Sequence, residues 1–310
     1  MNRTSRIRAL RRAHGVAHRA SRGVALIVVM WLLVLLAAVV GLFALNAHAE
    51  AVQASALRQR VVLDHAAEAG IEAVAARLLA TDARRRPIPD GRELSLEFSD
   101  GITVTVAVTD ESGKVDLNVA DAALLQRFFI AMGEAQPDAQ RLAGAIIDWR
   151  DPDALVTAGG GAEERDYRAA NRPYGPANRP FAQVSDLQRV LGMRHALYRQ
   201  VRPYLTVYTG LAQPNLAFAD RPVLQAMGLA PPVIEQIIAA RRLMQPGLPP
   251  PTLPGGIVLA AGGTGTYSVS SRAACADGPK AELEATVRVG AGGFLGQVYT
   301  PLVWRYGQQD

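Results

Sequence analysis

The sequence predicts an α+β fold: a long N-terminal helix packed on an antiparallel sheet, with a large helical domain inserted between strands. Three observations carry this expectation. An uncharged run at residues 24–45 continues into an amphipathic helical stripe that ends near residue 80. Segments of alternating apolar and polar residues fall into two groups, at 94–109 and 267–305. Between the groups, from 115 to about 245, alternation gives way to short helical patterns bounded by polar caps and glycines.

The chain has 310 residues, enough for about two domains of roughly 150 residues each. An apolar content of 49% excludes a mainly disordered chain. The single cysteine, Cys275, excludes an intramolecular disulfide framework and a Cys-cluster zinc site. The formal charge is +5, but seven arginines lie in the first 23 residues and no acid precedes Glu50. Without that segment 26 basic side chains face 28 acidic ones, and the only lysines are Lys114 and Lys280. The basic balance therefore gives no ground for a nucleic-acid partner.

Residues 24–45 hold no charge, and 22 helical residues span ~33 Å, enough to cross a bilayer core. The flank before them is all positive, so the leader is expected to stay cytoplasmic and the rest to cross the membrane. The run is too long for the h-region of a secretory signal. A plain signal anchor is the other reading. The leader ends Ser21-Arg22-Gly23 and the apolar run starts at once with Val24, an arrangement that resembles a type IV prepilin leader. In such leaders a peptidase cuts after the glycine and leaves the apolar helix in place.

Beyond Leu45 an apolar stripe runs through Ala49, Val52, Ala56, Leu63, Ala67, Ile71, Val74 and Leu78, while Arg58, Asp64, Glu68, Glu72 and Arg77 mark the opposite face. Together with the membrane run this gives a helix of about 55 residues, ~80 Å long. Thr81-Asp82 and the segment 84–89 end it. A membrane anchor with a bare helical stalk is the competing picture, and it predicts no packing partner for the stripe.

Residues 94–98 and 102–109 read as strands joined by Ser99-Asp100-Gly101, a hairpin signal. Residues 267–274 and 281–289 flank Asp277-Gly278, and 298–305 form a last apolar segment ending near Trp304. The alternation of Val104, Val106 and Val108 with Thr103, Thr105 and Thr109 places one face on a core and one in water. The long helix is the natural cover.

The stretch between the two strand groups is expected to contain no β structure. It carries a weak internal repeat. Asp116-Leu117-Asn118 with Ala120 and Leu124-Leu125 is echoed by Pro214-Asn215-Leu216 with Ala217 and Leu224, and residues 181–187 are a looser third copy. An apolar-glycine step follows each: Met132-Gly133, Met227-Gly228 and Leu191-Gly192. The pattern looks like the helix-hairpin-helix, or SAM-like, module. That module often binds DNA phosphates through a Gly-apolar-Gly hairpin, but here the second glycine is missing. Arg241 and Arg242 could reach phosphates. A module packed against other protein is the favoured reading.

Six carboxylates lie within nineteen residues: Asp148, Asp151, Asp153, Glu163, Glu164 and Asp166, spanning the flexible Gly159-Gly160-Gly161. Such a loop could wrap a hard cation such as calcium in oxygen ligands, although the spacing is not that of an EF-hand. The same residues also read as an ordinary acidic loop in which Asp151 caps a turn at Pro152 while Arg150 and Arg165 pair with neighbours. No catalytic set is recognisable. His65 and His195 lack motif partners, Cys275 reads as a small buried hydrophobe, and the 262–265 glycine cluster lacks the lysine and helix of a phosphate loop.

The order of parts resembles general secretion pathway protein K, the large minor pseudopilin of type II secretion. The residues that carry the likeness are Arg22-Gly23-Val24-Ala25-Leu26, Ala67-Glu68-Ala69-Gly70-Ile71-Glu72, Asp110-Glu111-Ser112-Gly113-Lys114-Val115-Asp116-Leu117-Asn118, Ile147-Asp148-Trp149-Arg150-Asp151-Pro152-Asp153, Asn178-Arg179-Pro180-Phe181 and Arg202-Pro203-Tyr204-Leu205-Thr206-Val207-Tyr208.

The resemblance implies a cytoplasmic leader (1–23), a transmembrane half-helix (24–45) and an amphipathic half-helix (46–80). It implies a pilin-like β domain in two parts (81–114 and 249–310) around a SAM-like insert (115–248). It implies cleavage between Gly23 and Val24 by the prepilin peptidase, with methylation of the new amine. The fifth mature residue is then Val28, where most pseudopilins have glutamate; this fits a tip subunit with no subunit ahead of it. A non-enzymatic protein is implied, in the inner membrane of a Gram-negative bacterium with its bulk in the periplasm. There it would cap or initiate the pseudopilus. Its partners would be other minor pseudopilins, the major pseudopilin, the inner-membrane secretion platform and membrane lipid, with no nucleic acid. Calcium is the implied cofactor. The alternative is a membrane-anchored periplasmic DNA receptor using helix-hairpin-helix units.

Overall fold

A computed structural model describes residues 21–98, 101–253, 256, 258–259, 262–275, 278–290 and 298–307, with side chains from residue 24 onward. The turn residues Ser99, Asp100 and Asp277, and most of the 290–293 glycine cluster, lie outside the described residues. The chain divides into two units, Met1–Val61 and Val62–Asp310. Helix α1 (Ser21–Leu78) is continuous through the division.

In the first unit the described residues are all helical. From Val24 to Leu45 every side chain is exposed. This stretch is long and apolar enough to cross a membrane.

In the second unit, residues Val62 to Leu78 of α1 lie on one face of an antiparallel sheet. The sheet is formed by β1 (Asp90–Glu97), β2 (Ile102–Asp110), β5 (Thr266–Cys275), β6 (Lys280–Val289) and β7 (Tyr299–Tyr306), in the order β1-β2-β5-β6-β7. Helical spacing brings Leu63, Ala67, Ile71 and Val74 onto the sheet, and each is essentially fully buried. The sheet answers with Val104, Val106 and Val108 of β2, Val269 and Ala273 of β5, and Leu283, Ala285 and Val287 of β6. Burial of each large aliphatic side chain contributes roughly 1.5–3 kcal/mol. Edge strand β7 tolerates Pro301, which has no amide to donate; the register slips beside its partner Val287.

Strands β2 and β5 are hydrogen-bonded neighbours, yet the whole insert lies between them in sequence. Its helices are α2 (Ala122–Ala131), α3 (Gln136–Arg150), α4 (Glu164–Ala169), α5 (His195–Val201), α6 (Arg221–Ala226) and α7 (Pro231–Arg242). They surround a second core that includes Phe128, Phe129, Trp149 and Tyr167. One expectation fails here. The insert contains a two-residue parallel pair, β3 (Val115–Asp116) with β4 (Leu205–Thr206), which is too short to leave a periodic signal in sequence. Leu253 and Leu259 also pack in the insert core, so the chain rejoins the sheet only at Thr266.

The internal repeat is visible in three dimensions. Helix α2, Met132-Gly133 and α3 correspond to α6, Met227-Gly228 and α7, and α2 packs on both α3 and α6. Gly133, Gly192 and Gly228 all have positive φ, between 81° and 96°. An arginine closes these two copies at matching places. Arg150 of α3 donates to the carbonyls of Leu117 and Ala120, and Arg241 of α7 donates to those of Leu216 and Ala219.

Candidate functional site

Helix α3 stops at Arg150 because Asp151 is drawn into an extended conformation (φ −80°, ψ 157°) ahead of Pro152. The loop that follows is tied back to the helix by Asp148. This carboxylate is fully buried: Oδ1 accepts from the Thr157 amide at 3.0 Å and from the Thr157 hydroxyl, and Oδ2 accepts from the Ala162 amide at 2.8 Å. Gly161 is needed at this crossing, since a Cβ there would run into the Asp148 carboxylate.

The loop brings together three of the six carboxylates expected from sequence. Ligand oxygens of Asp151, Asp153 and Glu163 lie within 4.8 Å of one another. Asp153 Oδ1 accepts from the Leu155 amide at 2.8 Å. Asp151 Oδ1 and Glu163 Oε1 are buried and have no hydrogen-bond partner among the described residues. Glu163 as a whole is 6% exposed. Burial pushes the Asp151 carboxyl up from its ordinary range, with the charges of Asp153 and Asp148 adding to the effect. Burial likewise raises Glu163, followed by repulsion from Asp148 and Asp151.

The other three carboxylates are committed elsewhere. Asp148 holds the loop, Asp166 Oδ2 accepts from the Glu163 amide at 3.0 Å, and the exposed Glu164 pairs with Arg168 at 3.0 Å. The chemistry of the remaining set suits a hard cation. Oxygens 2.3–2.6 Å from a calcium ion stand no more than about 5 Å apart, and two of the buried acceptors here have no partner among the described residues. The carboxylate spacing in sequence could not separate the two groups, because the division depends on which way the loop folds over α3.

Arginines also depart from expectation. Arg150 serves backbone carbonyls of the 117–120 turn rather than a neighbouring acid. Arg241 is 9% exposed and spent on carbonyls, so it does not reach a phosphate. At the hairpins themselves, Pro231 and Pro232 in the first turn of α7 and Pro137 in that of α3 remove amides that a phosphate would need. Cys275 is half-buried rather than buried. His65 lies 2.9 Å from Glu68, which also accepts from the Tyr306 hydroxyl. His195 lies 3.3 Å from Gln188 Oε1.

Sequence reasoning missed the roles of Asp116 and Asn118. Asp116 is buried and accepts from the amides of Thr209 at 3.0 Å and Gly210 at 2.8 Å and from the Thr209 hydroxyl at 2.9 Å. Asn118 exchanges hydrogen bonds with the backbone of Phe181, at 2.7 and 3.1 Å. These two residues knot distant parts of the insert. The quoted Asp-Leu-Asn motif was the only signal for them.

At the head of α1, Gly23 lies within the helix, and Val24 and Val28 are exposed.

The family model of the first domain of type II secretion system protein K matches residues 105–210. A type II secretion system protein K from Pseudomonas aeruginosa is 31% identical over 162 residues, which is 47% of this chain and 46% of that protein. One from Pectobacterium carotovorum subsp. carotovorum is 27% identical over 158 residues, 44% of this chain and 48% of that protein. The chain thus spans about half the length of the curated relatives it matches. In the crystal structure of the GspK-GspI-GspJ complex from the enterotoxigenic Escherichia coli type 2 secretion system, a chain superposes with a TM-score of 0.58 at 16% identity, covering 84% of this chain and 100% of that one. Its fold is therefore shared. Over residues 105–210, which include most of β2 and helices α2 to α5, the chain is thus similar to type II secretion system protein K.

Proposed function

We propose that the chain is a minor pseudopilin of a type II secretion system, a non-enzymatic subunit that caps or initiates the periplasmic pseudopilus. The carrying observation is the interruption of a sheet between adjacent strands: β2 and β5 pair directly, while the insert between them forms its own core. A head of that bulk does not stack readily within a narrow filament but fits at its end. Val28, where most pseudopilins have glutamate, supports the same place. Cleavage after Gly23, methylation of Val24 and anchoring of residues 24–45 in the inner membrane belong to this reading. The bulk would then be periplasmic. The partners in it are the other minor pseudopilins, in line with the GspI and GspJ found beside GspK in the matched complex, then the major pseudopilin, the prepilin peptidase and the secretion platform.

Calcium is the proposed cofactor, held by Asp151, Asp153 and Glu163. It would neutralise three converging carboxylates and stiffen the loop between α3 and α4.

The test is co-expression with the prepilin peptidase and the neighbouring minor pseudopilins, followed by mass spectrometry of the N-terminus and co-purification. A methylated Val24 and a stable complex are expected. An intact Met1, a cut beyond residue 45 or failure to associate with any pseudopilin overturns the reading.

A further inference from the structure

The sheet face turned away from α1 is not bare. The segment from Gln183 through Tyr208 stands over it, leaving a cleft of about 650 Å³ within the size range of ligand sites. Its floor consists of two rungs crossing the strands. One runs Thr109, Ser268, Thr286 and Val303; the other runs Ala107, Ser270, Glu284 and Arg305. Ala107, Ser268 and Ser270 are small, and this hollows the floor on the β2–β5 side.

Two polar bridges join the insert side to the sheet across the cleft. At one, buried Glu111 accepts from Lys114 and from the Ser268 hydroxyl at 2.5 Å. At the other, Arg202 pairs with Glu284 at 2.9 Å. Both lining glutamates are therefore already neutralised. What remains is hydroxyl-bearing and carries two guanidiniums against one further lining carboxylate, the exposed Asp220. Arg199 of α5 and Arg305 of β7 both line the cleft and are exposed, and neither has a carboxylate partner among the described residues. The hydroxyls of Thr109, Ser270 and Thr286 have no side-chain hydrogen-bond partner among the described residues either. Glu284, the cross-strand neighbour of Arg305, is turned to Arg202 instead.

We infer that this cleft binds an extended, acidic peptide segment of a partner protein. Charge complementarity selects an anion, and two separate guanidiniums suit two carboxylates, each able to form a paired hydrogen bond. The floor selects an extended chain. Its side chains repeat about every 6.8 Å along a strand, which matches the spacing of alternate side chains in an extended peptide. The inference stands on the cleft alone and does not depend on the assembly reading above.

The experiment uses the full chain in detergent and follows the anisotropy of fluorescein-labelled deca-glutamate, deca-lysine and an oligogalacturonate of equal charge. Deca-glutamate is expected to bind and deca-lysine not, with affinity falling as salt rises. R199E/R305E, two exposed sites, is expected to weaken binding by at least about tenfold without moving the thermal midpoint. Ser270→Leu, which fills the floor, is expected to weaken it comparably. R84E/R85E, in the exposed run beyond α1, should leave binding unchanged. Absence of deca-glutamate binding overturns the inference, as does binding indifferent to R199E/R305E or lost only in R84E/R85E. Oligogalacturonate binding as tightly and competing for the site overturns the peptide assignment.

Discussion

Gly70 of α1 sits against Ser271 of β5 so closely that a Cβ at residue 70 would lie 2.6 Å from the Ser271 hydroxyl oxygen and 2.7 Å from Cγ1 of Val104. The helix can lie this near the sheet because both facing positions are small. Gly70→Val is therefore expected to cost about 2–3 kcal/mol by overpacking, more than any gain in helix propensity returns. Urea unfolding of the full chain measures this, and an unchanged midpoint would refute the close approach.

Arg150 and Arg241 close the two copies of the helical repeat. Removing either strands two backbone carbonyls that no other side chain among the described residues serves. Arg150→Met and Arg241→Met should each destabilise by about 2–3 kcal/mol. Lysine should rescue poorly, because one ammonium on a flexible stem does not reproduce the guanidinium fork. Chemical denaturation midpoints of the four variants decide the point, and full rescue by lysine would count against it.

Calcium should raise the melting temperature of the full chain relative to chelator. The stabilisation is about 2.7 kcal/mol when the free ion is a hundredfold above its Kd. Glu163→Gln removes one of three repelling charges, so it should raise the melting temperature in chelator while abolishing the response to calcium. A wild-type melting curve that calcium does not shift removes the ion from this loop.

Asp110 offers a pH test at a site remote from that loop. Its Oδ1 accepts from the Ser112 amide at 2.8 Å, but Oδ2 is buried without a partner among the described residues. Burial is the main cause that raises its carboxyl above the ordinary range, with the charge of Glu111 also raising it. A raised folded-state value means that the associated stability is complete below the unfolded value and is lost as pH climbs through the folded one. Asp110→Asn should therefore be near neutral in acid and gain on the order of 1 kcal/mol over the parent at neutral pH. Melting temperatures of the pair across the acidic range test this; a difference that does not vary with pH contradicts it.

The long helix, its apolar half and the five strands were legible in sequence because each rests on a local pattern of apolar residues. The stripe through Leu63, Ala67, Ile71 and Val74 has the spacing of a helix turn, and the valines of β2 alternate as a half-covered strand must. Residue order alone also determined that the helical insert interrupts the sheet. What only the tertiary structure decided are relations between residues far apart in the chain. The short β3–β4 pair, the knots at Asp116 and Asn118, and the use of Arg241 on carbonyls carry no periodic signal. The same holds for the division of six clustered acids into three that converge and three that hold the loop or cap a helix. A carboxylate's role follows from the amides, hydroxyls and charges that folding brings within about 3 Å of it, and that neighbourhood is absent until the loop closes over α3.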